Sequence, residues 1–181
     1  STMKKNLMTL TSSSEIFVGL DCETTGRDVY SGARLFNAAL ALKVDNKFLM
    51  REVNLKPDSY TWDEEAQAVH GISKSIVESY PSSTVAEKIL SDFLENSITS
   101  TSRQLIAVGF NVGSFDLPFF KESFPSLMLG FSHRVVDLNS LIFFFSSYLS
   151  EDKSFDSLKG ELKEKASEVI SSMDANIRPH Q

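Results

Sequence analysis

The chain begins polar and turns abruptly apolar. After Thr11-Ser12-Ser13-Ser14 comes Ile16-Phe17-Val18-Gly19-Leu20, a near-continuous apolar run that predicts a buried strand over 15–21. Arg27 to Gly32 reads as a turn. Leu35 to Val44 is ambiguous by period. The stretch Asp45-Asn46-Lys47 followed by Phe48-Leu49-Met50 nevertheless reads as a hairpin turn, so strands are expected on both sides of it, the second stopped by Pro57. Three antiparallel strands between 15 and 55 result. Thr61 is the expected N-cap of a short helix over 62–69, with Asp63, Glu64 and Glu65 in its first turn, and Ser73 that of another reaching Tyr80. From Pro81 to Asn96, apolar residues at 85, 86, 89, 90, 93 and 94 form a helical stripe. After a Ser/Thr-rich loop over 97–102, Leu105 to Phe110 is a second buried strand, expected parallel to the first. Ser114 is then expected to cap a helix running to about Phe124. A short strand over 134–137, an apolar helix over 138–149 and one or two helices over 154–177 complete the chain. The order β-β-β-α-β-α-β-α-α predicts an α/β fold: a mixed sheet, three antiparallel strands then parallel ones, flanked by helices.

At 181 residues and 41% hydrophobic, the chain is long enough for one sizeable core. Residues 15–181 are expected to form a single domain behind a loose arm over 1–14, in which Ser1 and Thr2 ahead of Met3 read as a cloning remnant. The net charge of −6 and pI near 5.1 exclude an extended basic groove for duplex nucleic acid, but not a site that grips a few phosphates through metal ions. No apolar run approaches the ~18 residues of a membrane span, and the opening residues are too broken for a signal peptide. The single cysteine, Cys22, cannot form an internal disulfide, which points to a reducing, cytoplasmic compartment.

Two carboxylates, Asp21 and Glu23, lie at i and i+2 where the first strand runs out into Thr24-Thr25-Gly26. On a strand they share a face, and like charges side by side repel unless a cation lies between them. The pair is half of a divalent-metal site or an ordinary strand edge with two solvated acids. Cys22 points the other way, as a small core residue. Two further acids have chemical and ordinary readings alike. Asp116 falls in the first turn of the helix after the second buried strand, where an acid also complements the helix dipole. Asp174, in Met173-Asp174-Ala175-Asn176, taken alone is a surface residue.

Together these segments resemble the DEDD superfamily of 3′–5′ exonucleases, the proofreading (DnaQ-like) branch of the ribonuclease-H-like fold. The first motif matches as Asp21-Cys22-Glu23-Thr24-Thr25-Gly26 and the second as Asn111-Val112-Gly113-Ser114-Phe115-Asp116. Val53-Asn54-Leu55-Lys56-Pro57 and Val69-His70-Gly71-Ile72-Ser73 resemble the stretches between them, and the third motif matches only at Asp174-Ala175. The resemblance implies a metal-dependent 3′–5′ exonuclease that releases nucleoside monophosphates from single-stranded DNA or RNA 3′ ends. It implies two divalent ions, Mg²⁺ or Mn²⁺, roughly 4 Å apart on carboxylate oxygens. Asp21, Glu23 and Asp174 would hold one, and Asp21 with Asp116 the other. Thr24, Thr25, Gly26, His70 and Asn111 would line the pocket for the 3′-terminal nucleotide. A polymerase or another replication or repair protein is the partner such a domain implies.

One departure stands out. The family supplies a general base as a His five residues, or a Tyr four residues, before the last Asp; here those positions are Val169 and Ile170. His180 is no simple replacement, since it would lie ~16 Å further along a helix axis and Pro179 precedes it. General-base assistance is worth about 10²–10⁴-fold. The alternative is therefore a catalytically impaired exonuclease-like domain that binds nucleic-acid ends or a protein partner. Asp137 fits a position the family often fills with Asp and fits an N-cap equally well. His133 is expected as a surface or loop histidine ahead of the last strand, and Trp62 and Phe143 to Phe145 are expected in the core. Lys153, Lys159, Lys163 and Lys165, alternating with Glu161, Glu164 and Glu168, read as a solvated helical face, with phosphate contact the lesser alternative.

Overall fold

The computed structural model describes residues 15–44, 47–98, 104–149 and 154–173. The first three strands, β1 (Glu15–Thr24), β2 (Leu35–Val44) and β3 (Lys47–Asn54), form the expected antiparallel meander. Three helices follow: α1 (Glu64–His70), α2 (Lys74–Glu78) and α3 (Ser83–Ser97). Next, β4 (Gln104–Gly109) leads through a π-helical turn (Val112–Asp116) into α4 (Leu117–Ser123) and the single turn α5 (Pro125–Met128). The last strand, β5 (Phe131–Asp137), runs into α6 (Leu138–Phe144), a second π turn (Phe145–Leu149) and α7 (Phe155–Met173). The sheet order is β3-β2-β1-β4-β5, with β4 parallel to β1 and β5 parallel to β4. This is the mixed sheet of the ribonuclease-H-like fold.

The period of two along β1 divides its chemistry. Val18, Leu20 and Cys22 are buried, while Asp21 and Glu23 emerge on the other face. Beneath the buried face pack Leu40 and Leu42 of β2, Ala86, Leu90 and Leu94 of α3, and Phe119 and Phe120 of α4. Of the six apolar α3 positions, the three at i, i+4 and i+8 carry the burial, whereas Val85 and Ile89 stay largely exposed. Each fully buried leucine contributes roughly 1.5–3 kcal/mol.

Several local expectations are corrected. Asp63, not Thr61, caps α1: its carboxylate accepts the Glu65 N–H at 2.9 Å, while the Thr61 N–H donates to the Gly32 carbonyl at 2.9 Å, leaving Thr61 in the preceding loop. A carboxylate both satisfies an orphan amide and opposes the positive end of the helix, so it outcompetes a hydroxyl. Ser114 caps nothing and lies inside the π turn. Asn111 there takes the left-handed conformation (φ 55°), its N–H donating to Asp137 Oδ1 at 3.1 Å, and the chain winds wide before α4 starts with Pro118 in its first turn. The expected helix over 138–149 is α-helical only to Phe144, and Phe143, Phe144 and Phe145 are 62%, 51% and 47% exposed instead of core. Their rings meet one another and α7: Phe143 packs on Phe155 with centroids 5.3 Å apart, and Phe144 on Phe145 at 5.9 Å. His133 lies within β5, three residues longer at its start than expected, and is exposed. Among the described residues, no helix is long and apolar enough to cross a membrane.

Candidate active site

The site is built where β1 ends. Its pairing with β2 shifts register between Glu23 and Thr24, where Phe36 is the extra residue on the β2 side, so the ladder changes step just after the two exposed acids. The turn beyond is tied down from within. Thr24 Oγ1 donates to the Gly26 carbonyl at 2.6 Å, and Thr25 Oγ1 accepts the Arg34 N–H at 3.0 Å. The Thr25 N–H donates to the Arg34 carbonyl at 2.8 Å, and its carbonyl accepts the Asp63 N–H at 2.8 Å. Thr25 is thus fully buried and braces the loop from behind.

Glu23, Thr24, Gly26 and His70 share the wall of one open cavity of about 410 Å³, lined also by Cys22, Arg27, Ala66, Val69 and Phe115. His70 sits at the end of α1, its ring edge-on to Phe36 at 4.8 Å and to Trp62 at 5.8 Å. Its Nδ1 accepts the Ile72 N–H at 3.0 Å, which places the proton of the neutral ring on Nε2. Nε2 is buried and without a hydrogen-bond partner among the described residues. Burial lowers the His70 pKa, favouring that neutral form. Gly71, left-handed at φ 75°, ends the helix and lets the chain turn away behind the ring.

Asp116 closes the π turn with its carboxyl buried. Oδ1 accepts the Cys22 thiol at 3.2 Å, a contact between residues 94 apart in sequence that joins the first motif to the second. Burial raises the Asp116 pKa to about 6; the Cys22 hydrogen bond works against this and the charge of Asp21 adds to it. The same surroundings push the Cys22 thiol well above its usual range, burial first and the Asp116 carboxylate second. Gly109 makes the approach possible. A Cβ there would lie 2.9 Å from the Leu20 carbonyl oxygen and 3.1 Å from the Val112 Cβ. Asn111 belongs to the same turn, held by Asp137, whose Oδ1 also accepts the Asn139 N–H at 2.9 Å.

Asp21 and Glu23 therefore share the exposed face at the end of β1, and Asp116 reaches the Cys22 side chain on the buried face, with Thr24, Gly26 and His70 around the adjoining cavity and Asn111 in the turn. Asp174 lies outside the described residues, as does His180; Val169 and Ile170 fall within α7. Among the described residues no three His, Cys, Asp or Glu side chains form a group able to hold an ion. The donors present are hard carboxylate oxygens, the kind that Mg²⁺ and Mn²⁺ prefer. Asp116 is close enough to Asp21 for that charge to raise it, the crowding a cation relieves, so in donor chemistry the set fits. Neither the Cys22–Asp116 link nor Arg27 in the cavity wall was legible in the sequence; Phe115 could have been picked out only as an aromatic inside the second motif.

Sheet order and strand directions define the class, a ribonuclease-H-like α/β fold. By sequence the chain matches no family model and no curated protein. By structure it is similar to E. coli ExoI in a metal-free complex with ssDNA (TM-score 0.57, 15% identity, covering 75% of this chain and 31% of that one). It is similar also to cell-death related nuclease 4, CRN-4 (TM-score 0.54, 12% identity, 84% and 57%). A third is the nuclease domain of 3′hExo, a DEDDh family member, bound to rAMP (TM-score 0.52, 12% identity, 91% and 82%). The chain spans about a third of the ExoI chain and just over half of CRN-4. At these identities the likeness is one of fold.

Proposed function

We propose that this chain is a metal-dependent 3′–5′ exonuclease acting on single-stranded DNA or RNA ends in a reducing, cytoplasmic compartment. What supports the reading is the pair Asp21 and Glu23 on one face at the end of β1, with Asp116, delivered by the turn after β4, touching the Cys22 thiol between them and feeling the charge of Asp21. Asp21, Glu23, Asp116 and Asp174 would hold two Mg²⁺ or Mn²⁺ ions, whose contribution is Lewis-acid stabilisation of phosphoryl transfer. Cys22 fixes one oxygen of Asp116. Thr24, Gly26 and the His70 ring would form the wall beside the terminal nucleotide. Thr25 and Asn111 act through the backbone they hold. A polymerase or repair factor as partner is the remaining element of the reading.

A second reading rests on Val169 and Ile170, which stand where the exonuclease family carries its His or Tyr. A domain without that base would bind 3′ ends and turn over slowly or not at all. Both readings meet in one assay: 3′-labelled and 5′-labelled oligonucleotides, DNA and RNA, with Mg²⁺ or Mn²⁺, using Asp21→Ala as the contamination control. The exonuclease reading expects mononucleotide release from the 3′ end, lost in Asp21→Ala, and a gain of up to about 10²–10⁴-fold in Val169→His. Inert wild type with an active Val169→His variant selects the second reading. If both are inert and wild type binds no Mn²⁺ by calorimetry, the nuclease assignment is wrong.

A further inference from the structure

A second cavity, about 500 Å³, lies on the exposed face of the sheet between β1 and α7, with Asp21 in its wall. Its floor is unusually bare because Gly19, Ala39 and Ala41 present almost no side chain. Phe110, at the end of β4, and Lys159 and Lys163, one turn apart on α7, stand along the same wall. Both ammonium groups sit over the Phe110 ring, at 4.9 Å and 5.1 Å from its centroid. An aromatic face attracts one cation well. Two on one ring repel each other, in a chain whose net charge is −6. The ring fixes where the two charges stand, and an anion placed between them removes the repulsion. A mostly apolar cavity with a few convergent polar groups is the usual form of a ligand site.

We infer that this cavity is a phosphate subsite in which Lys159 and Lys163 take a phosphate group of a bound nucleic-acid strand, next to Asp21. The inference rests on the exonuclease reading above and extends it to a face of the sheet opposite the core. The phosphate belongs either to the strand or to a released mononucleotide. The two share their chemistry and are separated by competition.

The test is anisotropy of a 5′-labelled single-stranded oligodeoxynucleotide with the full chain in EDTA, between 50 and 200 mM KCl, so that binding is read without turnover. Each phosphate neutralised on a single strand contributes about 0.7 to the slope of log K against log[salt]. Lys159→Ala/Lys163→Ala, which gives up one neutralised phosphate, should therefore flatten that slope by about 0.7, and its affinity deficit against wild type should shrink about 2.6-fold across this salt range. The Lys159→Arg/Lys163→Arg pair should restore the slope, and the charge-matched control Lys47→Ala/Lys88→Ala, on other elements, should leave it unchanged, with circular dichroism confirming that all variants fold. If nucleoside 5′-monophosphate competes less well against the alanine pair than against wild type, the site takes the mononucleotide phosphate; equal competition assigns it to the strand. An alanine pair whose slope matches the control's, in a wild type that binds and cleaves, overturns the subsite and leaves the exonuclease reading standing. A wild type that neither binds nor cleaves sinks that reading, and the subsite with it.

Discussion

Asp116 gives the sharpest physical prediction, because its burial has opposite consequences for stability and for ligand binding. In the unfolded chain its pKa returns to about 3.8, and in the folded protein it is raised to about 6. Between those values the folded state binds more protons than the unfolded, so stability falls as pH rises, the reverse of the usual salt-bridged carboxylate. Stability is unpenalised below about 3.8 and carries the full cost above about 6. At 1.36 kcal/mol per pH unit, that difference is about 3 kcal/mol, burial being its main source. Asp116→Asn keeps an oxygen to accept the Cys22 thiol and cannot ionise. It should match wild type near pH 4 and exceed it by up to about 3 kcal/mol at pH 7–8. Urea unfolding at a series of pH values reads this directly, as a midpoint gap of about 1–2 M that opens between pH 4 and pH 7. Parallel stability–pH curves for the two proteins would refute the argument, since the Asp116 carboxyl would then share one environment folded and unfolded.

Three further outcomes follow from packing and capping. Gly109→Ala drives a methyl against the Leu20 carbonyl and Val112, contacts that cannot give way without moving β1 or the Asp116 turn. It should cost about 1–3 kcal/mol and lower the calorimetric Tm by roughly 2–4 °C for each of them. Asp63→Ala removes the α1 cap and should cost about 1 kcal/mol, whereas Thr61→Ala costs less, a comparison made by thermal melts of the two variants. Leu90→Ala, at a fully buried position of α3, should lose about 2–5 kcal/mol in urea unfolding, against under 0.5 kcal/mol for the exposed Val85→Ala.

What could be read from the sequence follows from the range over which each signal acts. The three-strand meander and the parallel β4 were legible because continuous apolar runs and an Asp-Asn turn are local features with few solutions. The two faces of β1 were legible for the same reason: a period of two leaves Asp21 and Glu23 no choice but to share a side. Caps were less so, since Thr61 and Asp63 both qualify and the competition is settled by the Thr61 N–H engaging Gly32. The π turn at 112–116 was invisible, because it depends on Asn111 being caught by Asp137, twenty-six residues away. The Phe143 to Phe145 run misled for a physical reason: three consecutive aromatics point around a helix in three directions, so they cannot all enter one core.

The Cys22–Asp116 contact shows why motif spacing alone underdetermines such a site. Asp21 and Glu23 are fixed by strand geometry, but Asp116 depends on a fold-level arrangement: Gly109 lets β4 close on the Leu20 backbone, Asn111 redirects the chain, and the π turn drops the carboxyl onto the residue between the two acids. A carboxyl so placed is costly, and nothing in the packing of the core requires it, since an amide or a leucine of similar volume would be cheaper to bury. A group that lowers stability at neutral pH next to the first motif is what the proposed metal site predicts. The pH dependence of Asp116→Asn and the metal response of wild type therefore bear on one question. If the cost is there and Mn²⁺ abolishes it in wild type but not in Asp21→Ala, an ion binds where Asp21 and the buried carboxyl both reach it, as the proposed metal site requires.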